Sequence, residues 1–338
     1  MVTTIKVPLR DAQQVRDMLK QKDILDKTHK SKKEEDYLYF PVTDTTQVQG
    51  YEIVEMECAP VVLQVSLKEM MQDVLSAEEL EQLKTAFDAV GTIAILEIDG
   101  DLQKKETFIA QALLQTHPRI KTVLRKDGIH DGVYRNQKMK FLAGVDTRET
   151  LHLENNTRII VDVETVYFSP RISNERARIA QLVKPGEDVL VLFSGAAPYV
   201  CVIGKNSKAK TITGIEINPE GHKYGLESVR LNKLKNVTLH NGDAGKIIPE
   251  LNQTYDRIIM PLPKTGEQFL DAAISVARKG ATIHYYDFLH EDEFNVAKER
   301  IKQACEKVNR AHEIIGIYTC GTQGVRTYRI CVDFLLKE

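Results

Sequence analysis

From residue 170 onward, strand-like and helix-like runs alternate, and this alternation constrains the fold more than any other feature of the chain. Strands are expected over Asp188–Phe193, Thr211–Ile217, Val237–His240, Asp256–Met260 and Thr282–Phe288. Between and after them lie helix-like stretches at Pro198–Gly204, Pro219–Leu231, Ala244–Leu251, Gly266–Arg278 and Asp292–Val308. Such alternation folds as an α/β parallel sheet with right-handed crossovers. The chain then departs from it: His312–Thr319 and Arg326–Leu336 read as two strands joined by residues 320–324. A closing hairpin adds an antiparallel edge, so seven strands are expected in a Rossmann-like sheet.

Two smaller α+β modules are expected before it. Residues 1–64 carry a strand at Ile5–Leu9 and a helix at Asp11–Leu25 with Asp11 as its cap. A charged loop (Lys27–Asp36) and strands at Tyr37–Val42 and Tyr51–Glu57 follow. About 60 residues is near the lower limit for independent folding. Residues 65–155 form the second module. Ser76 and Glu79 have capping-box spacing, Thr92–Ile98 alternates as a strand, Lys104–Leu114 is helical and Val123–Arg125 is a short strand. Leu151–Leu153 and Arg158–Val163 flank Asn155-Asn156 as a hairpin, leading into a large domain over 156–338.

The 338 residues suit two or three domains of about 100–200 residues. With 42% apolar and 28% charged residues, disorder, collagen and coiled coil are disfavoured. No apolar run approaches the roughly 20 residues of a membrane helix, and the first residues lack a signal-peptide core. Five Cys without CxxC spacing argue against a disulfide framework and a zinc site. A cytoplasmic protein with no metal, no membrane partner and no DNA partner is expected. The net charge of −2 gives no global support to nucleic-acid binding. Locally, Pro118–Lys140 holds Arg119, Lys121, Arg125, Lys126, Arg135, Lys138 and Lys140 against Asp127 and Asp131, which is +5. A solvated face and a phosphate-facing patch both fit this run.

In open α/β sheets, ligands bind beyond the carboxyl ends of the strands. After the first strand comes Phe193-Ser-Gly-Ala-Ala-Pro198, whose small residues, Gly195 among them, allow close approach of a ligand. This is not GxGxxG, so a pyrophosphate loop is not indicated. Glu216 follows the second strand, 21 residues after Gly195, at the distance where an acid accepts from ribose hydroxyls. Asp243 follows the third strand, placed to accept from an adenine amine. Glycine loop and two acids together specify an adenosine group without phosphate, which matches S-adenosylmethionine better than NAD or ATP. The plainer readings stay open: Glu216 as a helix cap near Pro219, and Asp243 as an N-cap. Pro261 and Pro263, after the fourth strand, withhold donors and present free carbonyls, or simply terminate the strand. Upstream, Ser173 caps a helix and places Glu175 in its first turn, where dipole complementarity alone is one account of the acid.

Five parallel strands and a terminal hairpin form the sheet of class I methyltransferases. The segments YRNQKMKFLAG (134–144), VYFSPRISNERARI (166–179), EINPE (216–220) and HYYDFLHEDE (284–293) resemble the archaeal and eukaryotic tRNA (guanine-N1)-methyltransferases acting on guanosine-37. The resemblance covers nearly the whole chain. It implies S-adenosylmethionine as cofactor, tRNA as partner, and a monomer. It implies Glu175 as general base for the N1 proton and Arg135 at guanine O6. Arg176 and Tyr167 would contact the cofactor, as would Phe193, Gly195 and Pro198. Glu216-Ile217 and Asp243-Ala244 would meet ribose and adenine, with Pro261 near both cofactor and base. Residues 1–64 would touch the tRNA outer corner, and the middle module would reach the anticodon stem.

The chain departs from the family pattern in four places. Val191 stands where an acid is usual, FSGAAP (193–198) replaces FAGVGP, Pro261 replaces Asn, and Gln137 replaces Arg. Pro261-Leu-Pro263 and HYYDFLHE resemble the archaeal subgroup that also methylates a tricyclic wyosine precursor at carbon. Three alternatives follow: that dual activity, aminocarboxypropyl transfer, and a tRNA-binding paralogue without activity.

Overall fold

The computed structural model describes residues 1–61 and 65–337, so the expected module boundary at 64 falls on residues outside the description. Contacts divide the chain into two compact units, Met1–Glu69 and Met70–Glu338.

In the first unit, four antiparallel strands lie in the order Lys32–Glu34, Tyr37–Pro41, Val2–Pro8, Glu52–Met56. The helix Ala12–Gln21 places Val15 and Leu19 on Ile5, Val7 and Phe40. Asp11 is its N-cap residue, yet its side chain makes no capping bond. The charged loop expected over Lys27–Asp36 contains the edge strand Lys32–Glu34, which its three charged, exposed residues hid.

The second unit begins with the capping box, present in full: Ser76 accepts from the Glu79 N–H and Glu79 from the Ser76 N–H. A four-stranded sheet follows, with the strands Thr122–Asp131 and Asn136–Gly144 at its far edge. The short strand expected at Val123–Arg125 is thus ten residues long, and its hairpin partner was not anticipated. Both strands are rich in Lys and Arg, which obscures alternation.

The large sheet has β1 Asp188–Leu192, β2 Thr211–Glu216, β3 Val237–Asn241, β4 Tyr255–Met260, β5 Ala277–His290, β6 His312–Gly324 and β7 Thr327–Leu336. Their order is β3-β2-β1-β4-β5-β7-β6, with β7 antiparallel to both neighbours. This is the expected seven-stranded α/β sheet. Residues 320–324, read as a connection, belong to β6. The helices that position the site are α1 Ser173–Leu182, α2 Pro198–Asn206, α3 Pro219–Leu231 and α4 Ala244–Glu250. Core residues sit on both sheet faces: Val189, Val191 and Ile259 pack toward α1 and α2, while Leu190, Leu192 and Ile258 pack on the other face. Val191 is fully buried there. No helix among the described residues is long and apolar enough to cross a membrane.

Candidate active site

The carboxyl ends of β1, β2, β3 and β4 converge on a cavity of about 450 Å³. Each strand supplies its wall through the residue that follows it. After β1 the backbone turns sharply, with positive φ at Phe193 (56°), Gly195 (56°) and Ala197 (64°), before α2 starts at Pro198. Only glycine adopts such a conformation without steric cost, so two of these three positions hold strain in a turn made to expose backbone.

Glu216 ends β2, 8% exposed. Its Oε2 accepts from the Gly195 N–H at 2.6 Å and its Oε1 from the Asn218 N–H at 2.8 Å. Burial raises its pKa, and these amide bonds only partly offset the effect. The helix cap at this point is Asn218, which accepts from the Glu220 N–H, so Glu216 supports the turn without capping α3. A carboxylate offers about four lone-pair sites, so both oxygens keep capacity for a ligand's hydroxyls. Asp243 caps α4, accepting from the Gly245 N–H at 2.7 Å, and also lines the cavity. The N-cap reading of Asp243 therefore holds, and the same residue stands at the cavity wall.

Tyr167, Phe193, Gly195, Glu216, Ile217, Asp243, Ala244 and Pro261 all line this cavity, as does Arg135. Phe269 packs edge-on against Phe193 with ring centroids 4.8 Å apart, giving an apolar wall beside the two acids. Apolar rings, hydroxyl-accepting carboxylates and a glycine turn without a phosphate cradle suit an adenosine group that bears no phosphate at its sugar. Strand-end reading did not find Phe269, because it lies in the segment after β4 and a phenylalanine there reads as core.

Arg135 sits at the tip of the hairpin in the second unit, with φ of 54°. Its Nη2 donates to the Pro263 carbonyl at 2.7 Å. One of the carbonyls expected to be free is therefore taken. Burial lowers the Arg135 pKa, yet the guanidinium remains a cation at neutral pH. Arg135, Val166, Tyr167 and Lys264 form a wall shared with a second, larger cavity of about 1040 Å³.

Three expected site residues lie elsewhere. Pro198 lines neither cavity and serves as the first residue of α2. Arg176 is 1% exposed and forms a two-point pair with Glu154, its Nε 2.5 Å from Oε1, beneath the Phe168 ring. Burial alone would raise the Glu154 pKa; bonds from His152 and Arg176 outweigh it and lower it. Glu175 falls in the first turn of α1, as expected, but Ser173 is not its cap: Ile172 holds that position and Ser173 is already helical. A 3-10 turn at Pro170–Ile172 runs directly into α1 and displaces the cap. The Glu175 carboxylate lines neither cavity. It is buried against Arg178 and accepts from the Tyr286 hydroxyl at 2.5 Å.

Behind Glu175 a buried network crosses the sheet. Arg178 donates to Asp333 at 2.7 Å, and His284 Nδ1 lies 2.6 Å from Asp333 Oδ1. Arg257 donates to His284 Nε2 at 2.7 Å and pairs with Glu187. His284, Cys331 and Asp333 offer ligand atoms within 4.8 Å of one another. Two guanidiniums and the occupied ring nitrogens make this cluster unsuited to a cation. The basic run is also partly neutralised: Arg125 and Lys140 pair with Glu106, and Lys126 with Glu97 and Asp88. The Asp131 side chain, counted in that run, lies outside the description.

Residues 150–315 match the TRM5/TYW2 methyltransferase domain, residues 67–147 the TYW2 N-terminal domain, and residues 4–48 the tRNA methyltransferase 5 N-terminal domain. The chain is 36% identical over 336 residues to the tRNA (guanine(37)-N(1))-methyltransferase Trm5b of Pyrococcus abyssi, covering 99% of each. The crystal structure of that Pyrococcus abyssi protein superposes with a TM-score of 0.77 at 35% identity, covering 100% of both chains. A complex of aTrm5 with tRNALeu matches at 27% identity with a TM-score of 0.72, covering 99% of each. The tRNA (guanine(37)-N(1))/4-demethylwyosine(37)-methyltransferase Taw22 of Nanoarchaeum equitans is 33% identical over 306 residues, covering 74% of this chain and 99% of its own. With a strand-end cavity built for an adenosine group and this full-length likeness, the chain belongs to the Trm5/TYW2 methyltransferase family.

Proposed function

We propose that the protein transfers a methyl group from S-adenosylmethionine to N1 of guanosine-37 in tRNA. The observation that carries this reading is the shared wall: Arg135 and Tyr167 line both the adenosine-suited cavity and the larger one beside it. A nucleobase swung out of its stack into the larger cavity meets the smaller one across that wall.

The cofactor supplies an electrophilic methyl on a sulfonium. Glu216 and Asp243 would hold its adenosine by accepting hydrogen bonds, Phe193 and Phe269 would exclude water from it, and Tyr167 would border both the cofactor's cavity and the base's. Arg135 stabilises the charge that develops on guanine O6 as N1 loses its proton, an effect of about 10²–10³-fold in comparable oxyanion sites. Glu175 takes that proton. The carboxylate rests on Arg178, so this role requires it to exchange the arginine for the substrate. Residues 1–64 and 65–155 serve tRNA docking, and methyl transfer rests on 156–338 with Arg135 contributed by the middle module.

Defined tRNA transcripts bearing guanosine or adenosine at position 37, followed by nucleoside mass spectrometry, test the reading. N1-methylguanosine from the guanosine transcript alone is expected. Absence of any methylated nucleoside at saturating cofactor overturns it.

A second reading is favoured by Pro261, which lines the cofactor cavity without a polar side chain. The same enzyme would then also methylate carbon in the tricyclic wyosine precursor, a substrate that needs less polar recognition at this point. Precursor-bearing tRNA in the same assay separates the two readings. A product heavier than a methyl adduct would indicate aminocarboxypropyl transfer instead.

A further inference from the structure

The buried arginines of the large domain are matched by acids, with one exception. Arg176 has Glu154 and Arg257 has Glu187. Arg329, on β7, is 8% exposed and lines the larger cavity, yet no carboxylate lies within ion-pair distance of it among the described residues. Its Nη2 donates to the Tyr167 hydroxyl at 2.8 Å. Its guanidinium carbon lies 5.0 Å from the centroid of the Phe288 ring. Its Nε is out of solvent reach and has no hydrogen-bond partner among the described residues.

A cation buried without a counter-ion is costly, and arginine cannot shed its proton to escape the cost. Such a site is completed by an anion that arrives from outside. We infer that Arg329 seats a phosphodiester oxygen of the target nucleotide. This inference rests on the reading of the larger cavity as the substrate side. A neutral guanine brings only a dipole into the cavity. The full negative charge that must accompany the nucleotide is its own backbone phosphate, and guanidinium binds phosphate through paired N–H donors. Tyr167 and Phe288 fix the plane of that fork from two sides, so it is oriented before the nucleotide arrives. Arg329 is then a substrate-binding residue, and Arg135 on the opposite strand hairpin is left to the base.

The test combines a protein change with a backbone change, read as equilibrium binding of tRNA by the full chain. Arg329→Met is expected to weaken tRNA binding by about tenfold and to lower the salt slope of binding by roughly 0.7–1. Its affinity for S-adenosylhomocysteine and its Tm stay close to wild type, and Arg329→Lys recovers part of the loss. A tRNA carrying a neutral methylphosphonate on either side of guanosine-37 costs the wild type a similar factor at one of the two linkages. That linkage costs Arg329→Met nothing further. Losses that multiply at both linkages, or an unchanged salt slope in Arg329→Met, overturn the inference. Should Arg329→Met fail to fold, the same comparison is made between wild type and Arg329→Gln. Wild-type binding needs no methyl transfer, so a protein that binds tRNA in this way but forms no N1-methylguanosine refutes the proposed reaction and leaves the phosphate seat standing.

Discussion

Arg178 holds both oxygens of Glu175, with Nε 2.7 Å from Oε2 and Nη2 2.8 Å from Oε1. The two residues sit one helical turn apart, so α1 alone brings them together. Burial opposes the charge on Arg178, but its bonds to Glu175 and Asp333 prevail and raise its pKa. The acid assigned to proton abstraction is therefore stored as an ion pair, away from both cavities. Glu175→Gln keeps the hydrogen-bonding shape and removes the base. Single-turnover methyl transfer is expected to slow by about 10²–10⁴-fold, with S-adenosylhomocysteine affinity retained. Loss of cofactor affinity in this variant would instead mark the residue as structural.

Asp333 anchors the same network from β7. Burial would raise its pKa, yet His284 and Arg178 outweigh burial and hold it well below the ordinary carboxylate range. Burial also lowers the pKa of His284, which stays neutral between Asp333 and Arg257. Both groups are depressed, so both contribute stability that is present at neutral pH and lost as pH falls. The loss is expected to begin below about pH 6.5 as the unfolded-state histidine takes up protons, and to steepen below about pH 4 with the carboxylate. Urea midpoints measured from pH 7 to 3 check this. Asp333→Asn is expected to flatten the acid limb while lowering stability at pH 7.

Glu216 makes the opposite kind of pH statement. Its raised pKa means that it protonates earlier than an ordinary glutamate as pH falls. Protonation removes acceptor capacity that the cofactor's hydroxyls require. Affinity for S-adenosylhomocysteine is expected to drop as pH is lowered toward 5 and to recover fully at pH 7. Glu216→Gln is expected to bind at least tenfold more weakly and to lose this pH dependence, as read by calorimetric titration.

Arg135→Ala is expected to cut the single-turnover rate by about 10²–10³-fold with little change in cofactor affinity. Arg135→Lys should restore only a minor part, because an ammonium cannot both reach the Pro263 carbonyl and present a second in-plane donor. An unchanged rate in the alanine variant would remove this residue from the reaction.

Gly144, which ends the hairpin strand that follows Arg135, has φ of 92°, and an added Cβ would lie 2.1 Å from the Lys121 carbonyl oxygen. Backbone against backbone cannot yield as a flexible side chain does. Gly144→Ala is expected to destabilise the protein by about 2–4 kcal/mol, measured by denaturant unfolding, with a matching fall in Tm.

The seven-stranded sheet was legible because β1 and the second half of β4 are continuous apolar runs, the pattern of strands covered on both faces, and because helix-like stretches alternate with the strands. The same reading located Gly195, Glu216, Asp243 and Pro261, since topology places strand ends at the ligand whatever the ligand is. It did not place Arg176 or Glu175, whose partners Glu154 and Arg178 are chosen by tertiary packing and helical phase. Nor did it find Arg329 or Phe269. An arginine in a closing strand and a phenylalanine after β4 carry no local signal, and only the folded chain shows which of them faces an opening. The charge of the basic hairpin likewise looked larger in one dimension than in three, because Glu106, Glu97 and Asp88 come from other elements.

The bond from Arg135 to the Pro263 carbonyl ties together segments 128 residues apart in the chain. The guanidinium is thus aimed by a proline-stiffened main chain as much as by its own hairpin. With Arg135 in the role proposed for it, any substitution that lets residues 261–263 relax would slacken the arginine's grip without touching the arginine itself, which would make drift in this short strap a route to retuning which nucleobase is accepted.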